Sequence, residues 1–171
     1  PYVVPEEYAT MYDPALIARC PSMAETFCGK PAVQASYSRH WAFDTYPWED
    51  WQRIVAMYLG YVTLIDEQIG RVLAALDDLG LADETAVFFS ADHAGFVGSH
   101  RLADKGPAMY DTIYHIPLLV RLPGEGLAGA VCDDFVTLMD LTPTYLDLAG
   151  APAGADGRPA MDGRSIGPLL R

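Results

Sequence analysis

The sequence predicts an α/β fold, and three observations carry that expectation. A long amphipathic stripe fills the middle of the chain, short apolar β-rich runs follow it, and a second helical pattern comes after them. Helix and strand therefore alternate, as in sheets that carry helices on their faces. Runs apolar along their whole length suit strands covered on both sides.

Residues 1 to about 46 are expected to be irregular: prolines at 1, 5, 14, 21 and 31, with scattered Tyr and Trp, read as extended connections with short helical turns. From Pro47 to Leu79 the spacing predicts one helix. Trp51, Ile54, Val55, Tyr58, Val62, Ile65, Ile69, Val72, Leu73 and Leu76 fall on one stripe, with Arg53, Thr63, Glu67, Arg71 and Asp78 opposite. Pro47 suits the first helical position, Glu49 and Asp50 suit the positive end of the dipole, and Gly80 is a natural stop. A bend is expected near Gly60. Thr85 to Ala91 (TAVFFSA) and Ile116 to Leu122 (IPLLVRL) read as strands, with Pro117 among the first residues of its strand, where no ladder donor is needed. Val131 to Thr137 is a third candidate strand. Leu138 to Ala149 reads as a helix stopped by Gly150, with Pro143 inside it and Thr142 or Asp140 as its cap. A Gly/Pro-rich tail follows from Ala151, with a short ordered segment near Ile166 to Leu170. The chain thus divides into a lead-in (1–46), a helix–strand–loop core (47–150) and a tail (151–171).

A length of 171 residues fits one domain or a large piece of one. Apolar residues make up 51%, enough for a real core, and a charged fraction of 20% argues against a disordered chain. A net charge of −12 argues against nucleic acid as a partner, and it means that any anion site must hold its own positive charges. Three cysteines, Cys20, Cys28 and Cys132, do not make a disulfide framework; they read as small buried or partly buried thiols, with a Cys20–Cys28 bridge left open. No run is long and apolar enough to span a bilayer, and no signal peptide is visible. The chain starts with Pro1 and not Met, so it is expected to be a fragment. No compartment follows.

In open α/β sheets ligands gather at the C-terminal ends of strands, which points to the residues after Ala91. Residues 90–110 read SADHAGFVGSHRLADKGPAMY. Asp92 and His93 offer a carboxylate oxygen and an imidazole nitrogen, both metal ligands. Neighbours on a strand point to opposite faces, so both reach one ion only if the strand has already broken at Asp92, and Gly95 and Gly98 permit such a break. Lys105, before Gly106-Pro107, is a compact positive charge for an anionic group. His100 is placed to donate a proton or contact a substrate. Singly, each has a plainer reading: a turn aspartate, backbone-bonded histidines, a solvated lysine. Their order is what is specific.

That order is apolar strand, Asp-His, Gly-rich loop, Gly-x-His, Lys-Gly-Pro, Met-Tyr, then a Pro-led apolar strand ending in Arg-x-Pro-Gly. The pieces SADHAG, GSHRL, DKGPAMYD and IPLLVRLPG resemble the C-terminal signature region of the sulfatase family, within the alkaline phosphatase superfamily. YLGYVTLIDEQIGRVLAALDDLGLADETAVFFSADH looks like the family's long helix and the strand it feeds, VTLMDLTPTYLDLAG and MDGRSIGPLL like the segments that follow, and PYVVPEEYATMYDP like the stretch just after a histidine-bearing loop in bacterial members; the whole is similar to the bacterial arylsulfatase and choline-sulfatase type. The resemblance implies an alkaline-phosphatase-like sandwich with a central, largely parallel sheet flanked by helices. It implies that Asp92 and His93 help hold a divalent cation, calcium on family grounds, with manganese or zinc also suited to the imidazole. It implies that Lys105 contacts the sulfate oxygens and offsets charge on the leaving sulfate. His100 is carried with Lys105 as a catalytic candidate.

Two departures stand out. Ala94 occupies the place of the family's usual glycine. The family nucleophile, a cysteine or serine in Cys/Ser-x-Pro-x-Arg converted to formylglycine, has no match: in Cys20-Pro21-Ser22-Met23 the proline is one place early and no arginine follows. The nucleophile and further metal carboxylates are therefore expected on an N-terminal half outside this sequence, and that half is the expected partner. The expected substrate is a small-molecule sulfate ester; a homo-oligomer stays open. The alternatives are a phosphodiester or phosphonate monoester hydrolase of the same superfamily, or a non-catalytic homologous module.

Overall fold

The structure is a computed structural model that describes residues 3–124, 128–151 and 161–170. It divides into two compact units, one made of Pro1–Gly80 and His93–Pro117, the other of Leu81–Asp92 and Leu118–Arg171.

In the first unit the amphipathic stripe forms one helix. A short helix α1 (Glu6–Ala9) and a nine-residue helix α2 (Ala32–His40) precede the 31-residue α3 (Trp48–Asp78). Pro47 is its N-cap, one place earlier than expected, and Glu49 and Asp50 occupy the first turn. Gly80 takes φ 68° and its N–H donates to the Asp77 carbonyl, which closes the helix. Gly60 has a reason other than a bend. A β-carbon there would lie 2.0 Å from the Tyr8 carbonyl oxygen, so only glycine lets the α1 backbone come this close. The Tyr8 hydroxyl donates to the Glu67 carboxylate, which ties α1 to α3 a second time and pushes the phenol's pKa up. Trp51 of the stripe is buried, as is Ala56 outside it, whereas Val62, Ile65 and Val72 are exposed.

Helix α2 falls where irregular chain is expected. Its buried residues are Gln34 and Ser38, one turn apart. A helix whose inner face is polar leaves no hydrophobic periodicity to read. After the second unit's first strand comes a small hairpin, β2 (Phe96–Val97) paired antiparallel with β3 (Ala103–Asp104), and then the four-residue α4 (Asp111–Tyr114). Phe96, Leu102, Ala108 and Ile113 form the buried cluster under this segment, with Phe27, Tyr37 and Tyr110 packed against it.

In the second unit β1 (Val87–Ser90) pairs with β4 (Leu118–Arg121), from Val87 opposite Arg121 to Ser90 opposite Leu118. Helix and sheet mix as expected. Among the described residues the strand pairs are antiparallel; the largely parallel sheet is expected of the whole fold. An apolar run fixes no strand direction, and the connection from β1 to β4 carries no helix longer than α4 to return the chain to a parallel start. Only one face is covered: Phe88 meets the Tyr145 ring edge-on at 4.9 Å, while Phe89 and Leu119 are exposed. Residues 131–137 form no strand; Asp133 and Asp134 interrupt the apolar run, and Val131 and Phe135 are exposed.

Helix α5 (Leu141–Leu148) follows a 3-10 turn at Leu138–Asp140. Asp140, not Thr142, is the N-cap of α5, but its side chain caps the preceding turn instead: in the capping box with Thr137 its carboxylate accepts from the Thr137 N–H at 2.8 Å, and it also accepts from the Arg164 N–H at 2.9 Å. Pro143 sits in the first turn, where its missing donor is not needed. The Thr144 hydroxyl accepts from the Ile166 N–H at 3.0 Å and the Asp147 carboxylate from the Ser165 hydroxyl at 2.7 Å, so helix and tail are stapled together. The short turn Gly167–Leu169 falls within the ordered segment expected there, and residues 152–160 of the tail lie outside the described residues.

The N–H donors of Arg164 and Thr137 hold the Asp140 carboxyl below its ordinary 3.8. A lowered folded-state pKa contributes stability that is present above the unfolded value and lost as pH falls through the folded one. Asp140→Ala is expected to destabilise by about 2 kcal/mol at pH 7, from the lost cap and the orphaned donors. Urea midpoints of the two proteins should converge as pH drops below 3.8. A gap that stays constant down to acid pH would contradict this account.

The three cysteines are free and exposed, so Cys20 and Cys28 are unbridged and the expectation of buried thiols does not hold. Among the described residues no helix is long and apolar enough to cross a membrane.

Candidate active site

Strand β1 ends at Ser90, and Asp92 lies in a bend beyond it, exposed, with His93 half-buried. The break needed for both side chains to serve one ion is therefore present. Asp92 closes the 81–92 segment of the second unit and His93 opens the 93–117 segment of the first. His93 Nδ1 lies 2.9 Å from the Ala94 carbonyl oxygen. A carbonyl only accepts, so Nδ1 carries the hydrogen and Nε2 carries the lone pair, the arrangement usual for a metal-ligating histidine. Ala94 is not in the left-handed region, and its N–H donates to the Ile113 carbonyl at 2.9 Å. Ordinary backbone thus explains why alanine is tolerated where the family pattern has glycine. Gly98, with φ 91°, makes the turn instead.

The β2–β3 hairpin organises the rest. Its register sets Phe96 opposite Asp104 and Val97 opposite Ala103. Lys105 therefore leaves the hairpin at the end where the chain from His93 enters. His100 lies in the turn at the other end, roughly 10 Å of strand away. Chain path brings His93 and Lys105 to one end and sets His100 apart. Lys105 is exposed, flanked by Asp104 and Gly106, both at positive φ (55° and 49°). His100 and Arg101 also adopt the left-handed region, each at φ 54°. Three such non-glycine residues in one loop store of order 1 kcal/mol each, a strain that persists only where surroundings over-determine the backbone.

Those surroundings are identifiable. Phe96 and Leu102 are 1% and 0% exposed and anchor the two strands from below the turn. The Gly98 N–H donates to the Leu102 carbonyl at 3.0 Å, and a β-carbon on Gly98 would press on the Trp51 ring at 3.0 Å. The His100 N–H donates to Ser22 Oγ at 3.2 Å, the Arg101 guanidinium to the Glu25 carbonyl at 3.3 Å, and Ser38 Oγ to the Arg101 carbonyl at 3.3 Å. The lead-in thus braces the turn.

Sequence reasoning missed a polar cluster around His100. The imidazole stacks on Tyr110 with ring centres 3.7 Å apart and planes 9° from parallel. Its Nδ1 lies 3.7 Å from Glu25 Oε2. Glu25 Oε1 accepts from the N–H groups of Phe27 at 2.9 Å and Thr26 at 3.0 Å, and Lys30 Nζ stands 3.4 Å from Oε2. The Phe27 donor above all, then the Lys30 charge, hold the Glu25 carboxyl below its usual range. Lys30 also donates to the Tyr110 hydroxyl at 3.0 Å, and that hydroxyl donates to Gln34 Oε1 at 2.9 Å. The lysine's pKa is raised, first by the Tyr110 contact. Nothing local in the sequence ties Glu25 to His100; only the Met-Tyr of the signature hinted at Tyr110.

Among the described residues, no group of three or more His, Cys, Asp or Glu side chains gathers as a metal would need. Asp92 offers an oxygen donor and His93 a nitrogen donor, both of kinds that divalent cations take.

Comparison with known proteins gives a consistent answer. The profile of the sulfatase family matches residues 5–151. The chain is 33% identical to the N-acetylglucosamine-6-O-sulfatase of Bacteroides thetaiotaomicron, over 70% of this chain and 21% of that protein. It is 40% identical to the steryl-sulfatase of Mus musculus, over 63% of this chain and 19% of the relative. Among solved structures, the phosphonate monoester hydrolase from Silicibacter pomeroyi superposes with a TM-score of 0.82 at 34% identity, covering 99% of this chain and 35% of that one. The chain therefore spans about a fifth of the length of the curated relatives it matches.

Proposed function

The chain belongs to the sulfatase family of alkaline-phosphatase-like folds, and from that membership we propose that it is the C-terminal part of a sulfuric ester hydrolase acting on a small-molecule sulfate ester. The observation that carries this reading is the hairpin that returns Lys105 to the end from which His93 enters, just past a strand that stops before Asp92. Asp92 and His93 Nε2 would supply two ligands to a divalent cation, calcium by family habit, with manganese or zinc suited to the imidazole. Such a cation, when bound, would lower the pKa of the oxygen that attacks sulfur. The Lys105 ammonium holds a sulfate oxygen and offsets the charge that develops as the S–O bond to the alcohol lengthens. His100 hands a proton to the departing alcohol oxygen. A formylglycine nucleophile and the remaining metal ligands would come from other parts of a longer protein, and the exposed Leu119, Val131 and Phe135 would be covered by those parts.

Phosphonate monoester hydrolysis is the second reading, favoured by the likeness to the Silicibacter pomeroyi enzyme. The test takes the protein that contains this chain, measures the mass of its nucleophile peptide, and compares turnover of an aryl sulfate with that of an aryl phosphonate monoester. A peptide with thiol converted to aldehyde and faster sulfate turnover is the expected result. Faster phosphonate turnover would establish the second reading, and no turnover of either ester would overturn both.

A further inference from the structure

Helix α2 meets the β2–β3 hairpin segment at both of its ends. Gln34, Tyr37 and Ser38 stand at helical spacing on one face of α2. Ser38 Oγ donates to the Arg101 carbonyl in the turn, and Gln34 Oε1 accepts from the Tyr110 hydroxyl. Tyr37 reaches the other end, the one from which Lys105 leaves. Its phenol oxygen accepts from the Gly106 N–H, and its ring packs against the buried cluster that contains Phe96. A β-carbon on Gly106 would lie 3.1 Å from the Phe96 ring and 3.6 Å from Tyr37 Cε1, so both rings stand against the residue that follows Lys105.

Lys105 is exposed, and the residues on either side of it, Asp104 and Gly106, both stand at positive φ. A backbone of that kind keeps its shape only where contacts hold it. The phenol meets both of these neighbours. Burial first, and then the Asp104 charge, push its pKa up, while the Gly106 donor draws it down; the net rise leaves a neutral hydroxyl at neutral pH, with an oxygen free to accept. Beyond Gly106 the chain is anchored again by Ala108, 4% exposed, in the same cluster as Phe96. A grip on the Gly106 N–H fixes the plane of the Lys105–Gly106 peptide, hence ψ of Lys105 and the direction in which its side chain leaves the loop. We propose that Tyr37 is a positioning residue for Lys105: by holding the Gly106 N–H, its hydroxyl aims the Lys105 ammonium at the anionic oxygen of the substrate. This rests on the ester-hydrolase reading above. Tyr37 acts through Lys105 and not on the substrate.

Tyr37→Phe tests it, because it removes the hydroxyl and keeps the ring. In the protein that contains this chain, kcat/KM for an aryl sulfate should fall roughly tenfold, while the thermal midpoint stays near that of the wild type. In a Lys105→Ala background the same substitution should change kcat/KM by less than about twofold, since the group it aims is already gone. A purely structural role would lower turnover equally in both backgrounds. Hydrogen exchange gives a readout independent of activity: the Gly106 amide should exchange at least about tenfold faster in Tyr37→Phe than in the wild type. An unchanged kcat/KM, an equal loss in the two backgrounds, or a loss that merely tracks a lower midpoint would overturn the proposal. An unchanged Gly106 exchange rate in an active enzyme would overturn it by removing the Tyr37 contact alone. If the wild type hydrolyses neither an aryl sulfate nor an aryl phosphonate monoester, the functional reading itself has failed and takes this role with it.

Discussion

Truncating Phe96 to alanine is expected to destabilise the first unit by about 4 kcal/mol, the range for emptying a core site of an aromatic ring. The ring is 1% exposed and packs with Leu102, Ala108 and Ile113. It also meets Tyr110 edge-on at 5.9 Å and lies against Gly106, whose added β-carbon would come within 3.1 Å of it. A hairpin of two residues per strand cannot stand on ladder hydrogen bonds alone. The strain at positions 100, 101 and 104 is tolerated because this plug holds the strands in place. Phe96→Ala should therefore relax the turn and lower ester turnover even under conditions where the protein stays folded. Phe96→Leu, which keeps most of the volume, should cost less than about 1.5 kcal/mol. Urea denaturation with kinetics on the folded fraction would check both. A loss under about 1 kcal/mol for the alanine variant would show that the hairpin is held by something else.

Lys105→Ala should lower kcat/KM for the sulfate ester by roughly 10²- to 10³-fold, the loss usual when one preorganised positive or hydrogen-bonding group is removed from a developing anion. The side chain is exposed and flanked by residues in the left-handed conformation, so its removal should leave the thermal midpoint almost unchanged. Arg101, the nearest other cation in sequence, donates to the Glu25 and Asp44 carbonyls, so it is committed elsewhere. Lys105→Arg should recover only part of the loss, because a planar fork does not reproduce a compact point charge on a tight loop. A decrease of less than about threefold for Lys105→Ala would remove it from the catalytic set, whatever ester the protein prefers.

What the sequence disclosed follows from which forces leave a local trace. The stripe from Trp51 to Leu76 marks α3 because burial of one face repeats with the helix period. The runs around Phe88 and Leu118 mark β1 and β4 because continuous apolarity has few other uses. Asp92, His93, His100 and Lys105 stand out because ionisable residues and glycines follow an apolar strand, where a packing role alone would not place them. Forces that act between distant residues leave no such trace. Gln34 and Ser38 bury a polar face that distant Tyr110 and Arg101 satisfy, so α2 looks like loop. The hairpin is too short for any period to register. Strand direction between β1 and β4, the close approach at Gly60, and the facing of Glu25 and His100 all depend on what the rest of the chain brings near.

The hydrogen-bonded inner face of α2 also sets an order in time. At nine residues the helix is too short to persist alone in water. It has no apolar stripe with which to join an early collapse. Its partners, the Arg101 carbonyl and the Tyr110 hydroxyl, lie 63 and 76 residues further along the chain. At ordinary rates of synthesis they emerge several seconds after Ser38. Until then Gln34 and Ser38 stay bonded to water, and α2 flickers. The segment that braces the β2–β3 turn is thus among the last to settle in the first unit, waiting for the turn it will hold.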